Sequence, residues 1–383
     1  VYEGFEKALE AAVASGRIAG AVAAVADRDG VTYTHQAGFR QAGAPAAMTQ
    51  DTIFWLASMT KAVVSVAALR EVEAGRLSLD GDLSGLLPEF TDLQVLEGFG
   101  EDGTPRLRPA RRAPTLRDLL THTSGFGYAF LSEDLTRWHR VTGAADPNGG
   151  TRSAHVLPLL HDPGEAWSYG IGIDWAGLAV EAASGQRLDA YLNDHILGPL
   201  GMTDTGFAPV DPERRATAHL RVEGTLFPAP TPSGGTEAEV LSGGGGLHGT
   251  APDYIRFLRM LLNGGELDGA RILKPQTVRS LSEVQTGSLK AGAFKTANGA
   301  LTTDFDLYPD MLTGHGLASV VTPEATKQGR GPGALNWAGI FNTYFWADPD
   351  AGKAGVLLTQ LMPFGDPDVL ALLRALERGG GEQ

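Results

Sequence analysis

Cysteine is absent from the 383 residues, which excludes disulfides, thiolate nucleophiles and cysteine-ligated zinc or iron–sulfur sites. Basic charge is scarce: 31 Lys and Arg against 45 Asp and Glu leave a net charge of −14, and no Lys/Arg cluster stands out. Such a surface repels phosphate backbones and anionic lipid, so neither a nucleic acid nor a membrane is expected as a partner. Long apolar runs are missing near the start, where Ile18 to Ala26, with a glycine inside, is about half of a membrane span. The opening Val1-Tyr2-Glu3-Gly4-Phe5-Glu6 is mixed and acidic, unlike a signal peptide. A cytoplasmic location is expected, or a periplasmic or secreted one if a leader was removed. None of the nine histidines falls in His-Glu-x-x-His or another zinc spacing, so no metal and no cofactor is expected. Gly-x-Ser-x-Gly is also missing, which argues against an α/β-hydrolase nucleophile elbow.

What is present reads as an ordinary globular chain, with 43% hydrophobic and 20% charged residues. Its length exceeds the ~250–300 residues at which one core stops growing, which predicts two lobes. Phe5, Leu9, Ala12 and Val13 recur at helical spacing and Gly16 ends the run. Ala21 to Ala26 and Val31 to His35 then flank an Asp-Arg-Asp-Gly turn, as in a hairpin. The far end mirrors this arrangement. Strands are expected at Ile340 to Ala347 and Gly355 to Leu361, followed by a helix from Asp366-Pro367 that buries Val369, Leu370, Leu372, Leu373 and Leu376. Both ends are therefore expected to share one antiparallel sheet covered by helices. Residues 1–80 and 226–383 would form this α/β lobe. Residues 81–225, with helical patterns at Leu116–Thr121 and Asp174–Ala183, would form an inserted, mainly helical lobe, and the site would lie between the two. Residues 98–114 and 225–236 read as loops.

Three stretches carry chemistry. Ser58-Met59-Thr60-Lys61 opens an apolar run from Ala62 to Val72. Ser58 there is either an N-cap or a nucleophile, because residues three apart share a helix face and Lys61 would stand beside its hydroxyl. Trp167-Ser168-Tyr169-Gly170 offers Tyr169 either as a buried phenol or as a proton relay. In Asn336-Trp337-Ala338-Gly339-Ile340, Gly339 either relieves crowding or lets a substrate carbonyl approach a backbone N–H. Lys295-Thr296-Ala297 and His122-Thr123-Ser124-Gly125 are weaker candidates, and His122 and His248 read as hydrogen-bonded structural residues. Gly244, Gly246 and Gly249 satisfy Gly-x-Gly-x-x-Gly but precede a helix capped by Thr250 without a clear strand before them, so they read as a tight turn. Tyr128, Phe130, Trp138 and Trp346 either line an acyl pocket or fill core.

In this order the three stretches resemble the serine β-lactamase/penicillin-binding superfamily, and within its class C-like branch the family VIII carboxylesterases. The segments Thr115–Gly125, Gly243–Thr250 and Thr343–Pro349 extend the resemblance over most of the chain. It implies a β-lactamase-like α+β fold and a serine hydrolase forming an acyl-enzyme. Ser58 would be the nucleophile, with Lys61 and Tyr169 sharing the proton work. The backbone N–H groups of Ser58 and Ile340 would form the oxyanion hole, and Trp337, Ala338 and Gly339 would bind substrate. Ile171 departs from the family's Tyr-x-Asn, and Trp337 stands where β-lactamases carry the lysine of Lys-Thr-Gly. Losing that cation, worth ~1.5–3 kcal/mol in a charge-assisted contact, disfavours anionic β-lactams and leaves neutral short-chain esters unaffected. The expected activity is carboxylester hydrolysis. Acyl transfer, amide or small-peptide hydrolysis, weak β-lactamase activity and a non-catalytic binding protein are the alternatives.

Overall fold

The computed structural model describes residues 1–229 and 235–379. A seven-stranded antiparallel sheet organises it. In chain order its strands are β1 (Gly20–Asp27), β2 (Val31–Gly38), β3 (Gly314–His315), β4 (Val320–Thr322), β5 (Ala334–Gly339), β6 (Thr343–Asp348) and β7 (Lys353–Leu358). Their spatial order is β3-β4-β5-β6-β7-β1-β2. The two ends of the chain meet where β1 pairs with β7, Val22 opposite Leu358 and Ala26 opposite Ala354. The expected antiparallel sheet flanked by helices is therefore present.

Alternation along each strand builds a core on both faces. Ala21, Ala23 and Val25 of β1 face α1 (Glu3–Ala14) and the C-terminal helix (Pro367–Gly379) in one cluster with Phe5, Leu9, Val369, Leu372, Leu373 and Leu376. Leu370 is only partly buried, at the margin of that layer. Val22, Ala24 and Ala26 face the opposite way, toward α2 (Thr60–Glu73), α3 (Gly172–Ser184) and α4 (Ala251–Leu262). Most of α2 is buried, from Thr60 through Leu69, so this helix is a central post rather than a surface element. A mainly helical stretch, including Glu133–Thr142 and α3, is inserted between β2 and β3 and packs on α2.

Several boundaries differ from expectation. The segment 98–114 is not all loop, because Gln94–Phe99 pairs with Pro105–Pro109. Within 225–236, Thr225–Pro228 is a strand paired with His219–Val222, while 230–234 lies outside the described residues. Ile340 belongs to a turn rather than to the strand after it: Asn342 takes a left-handed conformation with φ 57° and donates its N–H to the Gly339 carbonyl at 3.0 Å. Aromatic and β-branched character continues through that turn, which hides it from a propensity reading.

Candidate active site

Ser58 lies in a short 3-10 turn, Ala57–Met59, that runs directly into α2. Three elements pin this turn. Leu56 donates its N–H to the Leu247 carbonyl at 2.9 Å, and Leu247 returns its N–H to Thr60 Oγ1 at 3.0 Å. Tyr254 Oη on α4 donates to the Met59 carbonyl at 2.9 Å, and Thr343 Oγ1 on β6 donates to the Leu56 carbonyl at 3.2 Å. Ala57 is held at φ 47°, a conformation an alanine adopts only when its surroundings over-determine it. Ser58 is therefore no N-cap: no side-chain cap bond is made at this helix start, and the half-buried hydroxyl meets Lys61 instead.

Lys61 is 2% exposed and has three oxygen partners: Ser58 Oγ at 3.1 Å, Tyr128 Oη at 2.9 Å and the Gly244 carbonyl at 2.6 Å. The set suits both protonation states. An ammonium donates to all three. A neutral amine donates to the carbonyl and the phenol and turns its lone pair to the seryl O–H. The faces of Tyr169 and Tyr128 lie 4.7 and 5.1 Å from Nζ, favouring the charge once a proton arrives.

Tyr169 joins through its ring rather than its hydroxyl. Its Oη accepts the indole N–H of Trp337 at 3.0 Å, and both residues are buried. With a lone pair accepting from the indole, the phenolic O–H still has its own proton to donate. Trp337 comes from β5, whose register sets Trp337 opposite Phe345 on the helical face. Ala338 was expected beside it, but strand alternation turns its methyl to the other face, among the α1 residues, so only its backbone can meet a substrate. Gly339 closes the strand against the Ser58 turn. A Cβ there would collide with the Leu56 carbonyl and the Thr343 hydroxyl and lie 3.2 Å from the Ala57 methyl. Ile340 follows at once, beside the segment carrying Ser58.

Two further residues surround Lys61: Tyr128, read from the sequence as pocket wall or core, and Asp174, which the sequence reading does not single out. Tyr128, stacked on Phe130 with ring centroids 5.0 Å apart, supplies the hydroxyl that reaches Lys61. Burial, then Asp174 and Tyr169, push its ionisation well above the usual phenol range, so it is a neutral phenol. Asp174, a buried acid in the otherwise apolar first half of α3, accepts Ser242 Oγ at 2.8 Å and the Gly244 N–H at 3.1 Å. A lone carboxylate inside an apolar helix was the available signal. Of the other two aromatics, Trp346 faces the α1 side of the sheet and Trp138 packs at the edge of the helical core.

The weaker candidates resolve. Lys295 is exposed and pairs with Asp304 at 2.8 Å. His122 and His248 are buried; the Nδ1 of each lacks a hydrogen-bond partner, and His248 has a backbone hydrogen bond with Gly246. Both also pack by their rings, His248 on Trp55 at 5.7 Å and His122 on Tyr169 at 4.7 Å and His315 at 5.2 Å. Burial pushes His248 and His315 down to about 4 and His122 down as well, so all three are neutral near pH 7. Among the described residues no cluster of three or more His, Asp or Glu could hold a metal, and no helix is long and apolar enough to cross a membrane.

This arrangement has counterparts. The chain is 34% identical to a protein named lovastatin esterase from Penicillium rubens over 96% of its length and 94% of that protein's. It is 33% identical to a monacolin J acid methylbutanoyltransferase from Aspergillus terreus, over 97% and 94% of the two chains. The unliganded structure of simvastatin synthase (LovD) from Aspergillus terreus superposes with a TM-score of 0.82 at 31% identity, covering 98% of this chain and 97% of that one. A family model described as Beta-lactamase matches residues 5–379. The chain belongs to the beta-lactamase family, in its branch of family VIII esterases and acyltransferases, and has that branch's serine-enzyme fold.

Proposed function

We propose that this protein is a serine acyltransferase that loads a small acyl group from an ester donor onto Ser58 and passes it to an apolar alcohol, with water as the slower acceptor. The observation carrying this reading is the position of Ser58 at the junction of two apolar surfaces. On one side lie Tyr128, Tyr169 and Trp337. On the other, Trp55, Ile340, Phe341 and Met362 pack around Ala57. Two such walls suit an acyl chain and an apolar acceptor at once, and the similarity to a methylbutanoyltransferase agrees. The carboxylate near the site, Asp174, is engaged by Ser242 and Gly244 rather than turned to an attacking water.

In the proposed sequence Ser58 attacks the donor carbonyl as its proton passes to Lys61. The Ser58 and Ile340 N–H groups receive the oxyanion, each donor contributing about 2.7–4 kcal/mol. Collapse expels the alkoxide, which takes the free proton of Tyr169. An ammonium and a phenolate remain, with Nζ 4.7 Å from the phenolate ring centroid. The second half reverses these transfers: the incoming alcohol gives its proton to Tyr169, and Lys61 returns one to the departing Ser58 Oγ. Trp337 in place of a lysine leaves no cation on β5 for a β-lactam carboxylate, so penicillin turnover should be far below ester turnover.

Ester hydrolysis is the second reading, favoured by the lovastatin esterase relative. The two separate by product analysis with p-nitrophenyl butyrate and graded n-butanol. Transfer predicts butyl butyrate exceeding butyrate at modest alcohol, with a butyryl mass on the Ser58 peptide. Butyrate as the sole product at every alcohol concentration would overturn transfer, and turnover by Ser58→Ala would overturn both.

A further inference from the structure

The geometry points to Asp174 as the residue that positions and electrostatically balances Lys61, acting through Gly244. The inference rests on reading Lys61 as the amine that takes the seryl proton. Asp174 is 4% exposed and stands in the first turn of α3, with the positive end of the helix dipole behind it. It receives the Gly244 N–H and the Ser242 hydroxyl, while the Gly244 carbonyl receives Lys61 Nζ at 2.6 Å. One residue thus joins a buried acid to a buried base.

Holding a loop does not require a charge. An asparagine carbonyl could accept the same two hydrogen bonds at a far lower cost of burial. A buried carboxylate makes sense where a cation must be balanced, and Lys61 is the cation at hand. The other groups around Nζ cannot serve. Tyr128 is a neutral phenol, Tyr169 presents its ring, and His122 and His315 are neutral and themselves disfavoured by the Lys61 charge. At the far end of α2, Glu71 is already bonded twice to Arg76. Gly244 is needed for close approach: a Cβ there would run into Asp174 Oδ2 and sit 3.1 Å from Tyr128 Oη.

Asp174→Asn tests the charge, and Gly244→Ala tests the bridge. With p-nitrophenyl butyrate, Asp174→Asn should lower kcat about 10–100-fold with little change in KM, because the variant keeps the two hydrogen bonds and removes the charge that favours the ammonium formed as Ser58 attacks. Removing a negative charge disfavours the ammonium, so the acidic limb of kcat/KM should move to lower pH. A wild-type kcat, or a loss with the limb unmoved, would overturn the inference. If thermal melts show Asp174→Asn unfolded, Gly244→Ala decides: lowered kcat at unchanged KM supports the bridge, and wild-type kcat refutes it. Lys61→Met is the control for the underlying reading. Wild-type fluorophosphonate labelling of Ser58 in that variant would sink the role of Lys61 itself.

Discussion

Replacing Tyr128 by phenylalanine isolates one hydroxyl in the site. The ring stays, so the stack on Phe130 and the face presented to Lys61 at 5.1 Å survive. What disappears is the 2.9 Å bond from Nζ to Oη. When Lys61 carries the seryl proton, that bond is charge-assisted and worth about 1.5–3 kcal/mol. At about 1.4 kcal/mol per decade of rate, kcat/KM should fall roughly 10- to 150-fold. Because burial keeps the Tyr128 phenol neutral, the variant should keep both limbs of the pH–rate profile.

Tyr169→Phe is the matched comparison. It leaves all three Lys61 hydrogen bonds in place and removes the proton meant for the leaving alkoxide. Positioned general acids contribute about 10²–10⁴-fold, so this variant should be the slower of the two. Initial rates with p-nitrophenyl butyrate, alongside near-ultraviolet circular dichroism to check the fold, measure both. If Tyr128→Phe lost an entire pH limb, or proved slower than Tyr169→Phe, the proton roles argued above would have to be exchanged.

Three more perturbations probe the frame. Gly339→Ala forces a methyl against the Leu56 carbonyl and the Thr343 hydroxyl, so it should cost about 1–3 kcal/mol of stability and lower kcat by displacing the Ser58 turn; an unchanged melting temperature with full activity would contradict this packing. Trp337→Phe removes the donor that holds Tyr169 Oη, and a fall in kcat larger than the rise in KM is expected, whereas a pure KM effect would make Trp337 only a wall. Burial lowers His315 to about 4 against about 6.5 unfolded, so the unfolded chain binds more protons between those values and stability falls as pH drops through that window. The contribution is at most about 3 kcal/mol. The melting temperature should therefore drop less between pH 7 and pH 4 for His315→Gln than for the unaltered chain, and equal drops would remove His315 from the account.

The sequence was most legible where period and chemistry coincide. Phe5, Leu9 and Ala12 at helical spacing, and the hairpins near both ends, locate the sheet and one helical layer to within a few residues. Ser58 and Lys61 were legible because a helix face brings residues three apart together. The approach of Tyr169 and Trp337 was legible only as a resemblance, since they are 168 positions apart in the chain. The contact of Tyr128 with Lys61, and Asp174 altogether, went unread for a different reason: each acts through a residue more than 60 positions away, and no local period reports that. Ala338 is grouped with its neighbours by reading a motif as a unit, whereas strand alternation sends its side chain to the opposite face and leaves only its backbone for substrate.

The chemistry and the choice of acceptor rest on different parts of the molecule. Lys61 stands on α2 and Trp337 on β5, while Ser58 lies in the turn that runs into α2, Tyr169 lies just ahead of α3 and Gly244 is held by Asp174, so packed helices and a central strand carry or flank these residues. The walls instead belong largely to connecting segments and short strands: Tyr128 and Phe130 before the helix at 133, Phe294 in a two-residue strand stacked 6.1 Å from Tyr169, Ile340 and Phe341 in a turn, and Met362 in the two-residue strand Leu361–Met362. The Ala297 N–H bonds the Phe130 carbonyl at 2.8 Å, tying two of these segments together. Side-chain substitutions at the wall residues that do not touch Lys61 or the oxyanion, Phe130, Phe294, Phe341 and Met362, should therefore shift the partition between water and alcohol while leaving the rate of Ser58 acylation by a small donor nearly unchanged. Met362→Ser, which makes the partly buried patch beside Ala57 more polar, should raise the share of acid in the product. A parallel fall in acylation rate would show that wall and machinery are not separable after all.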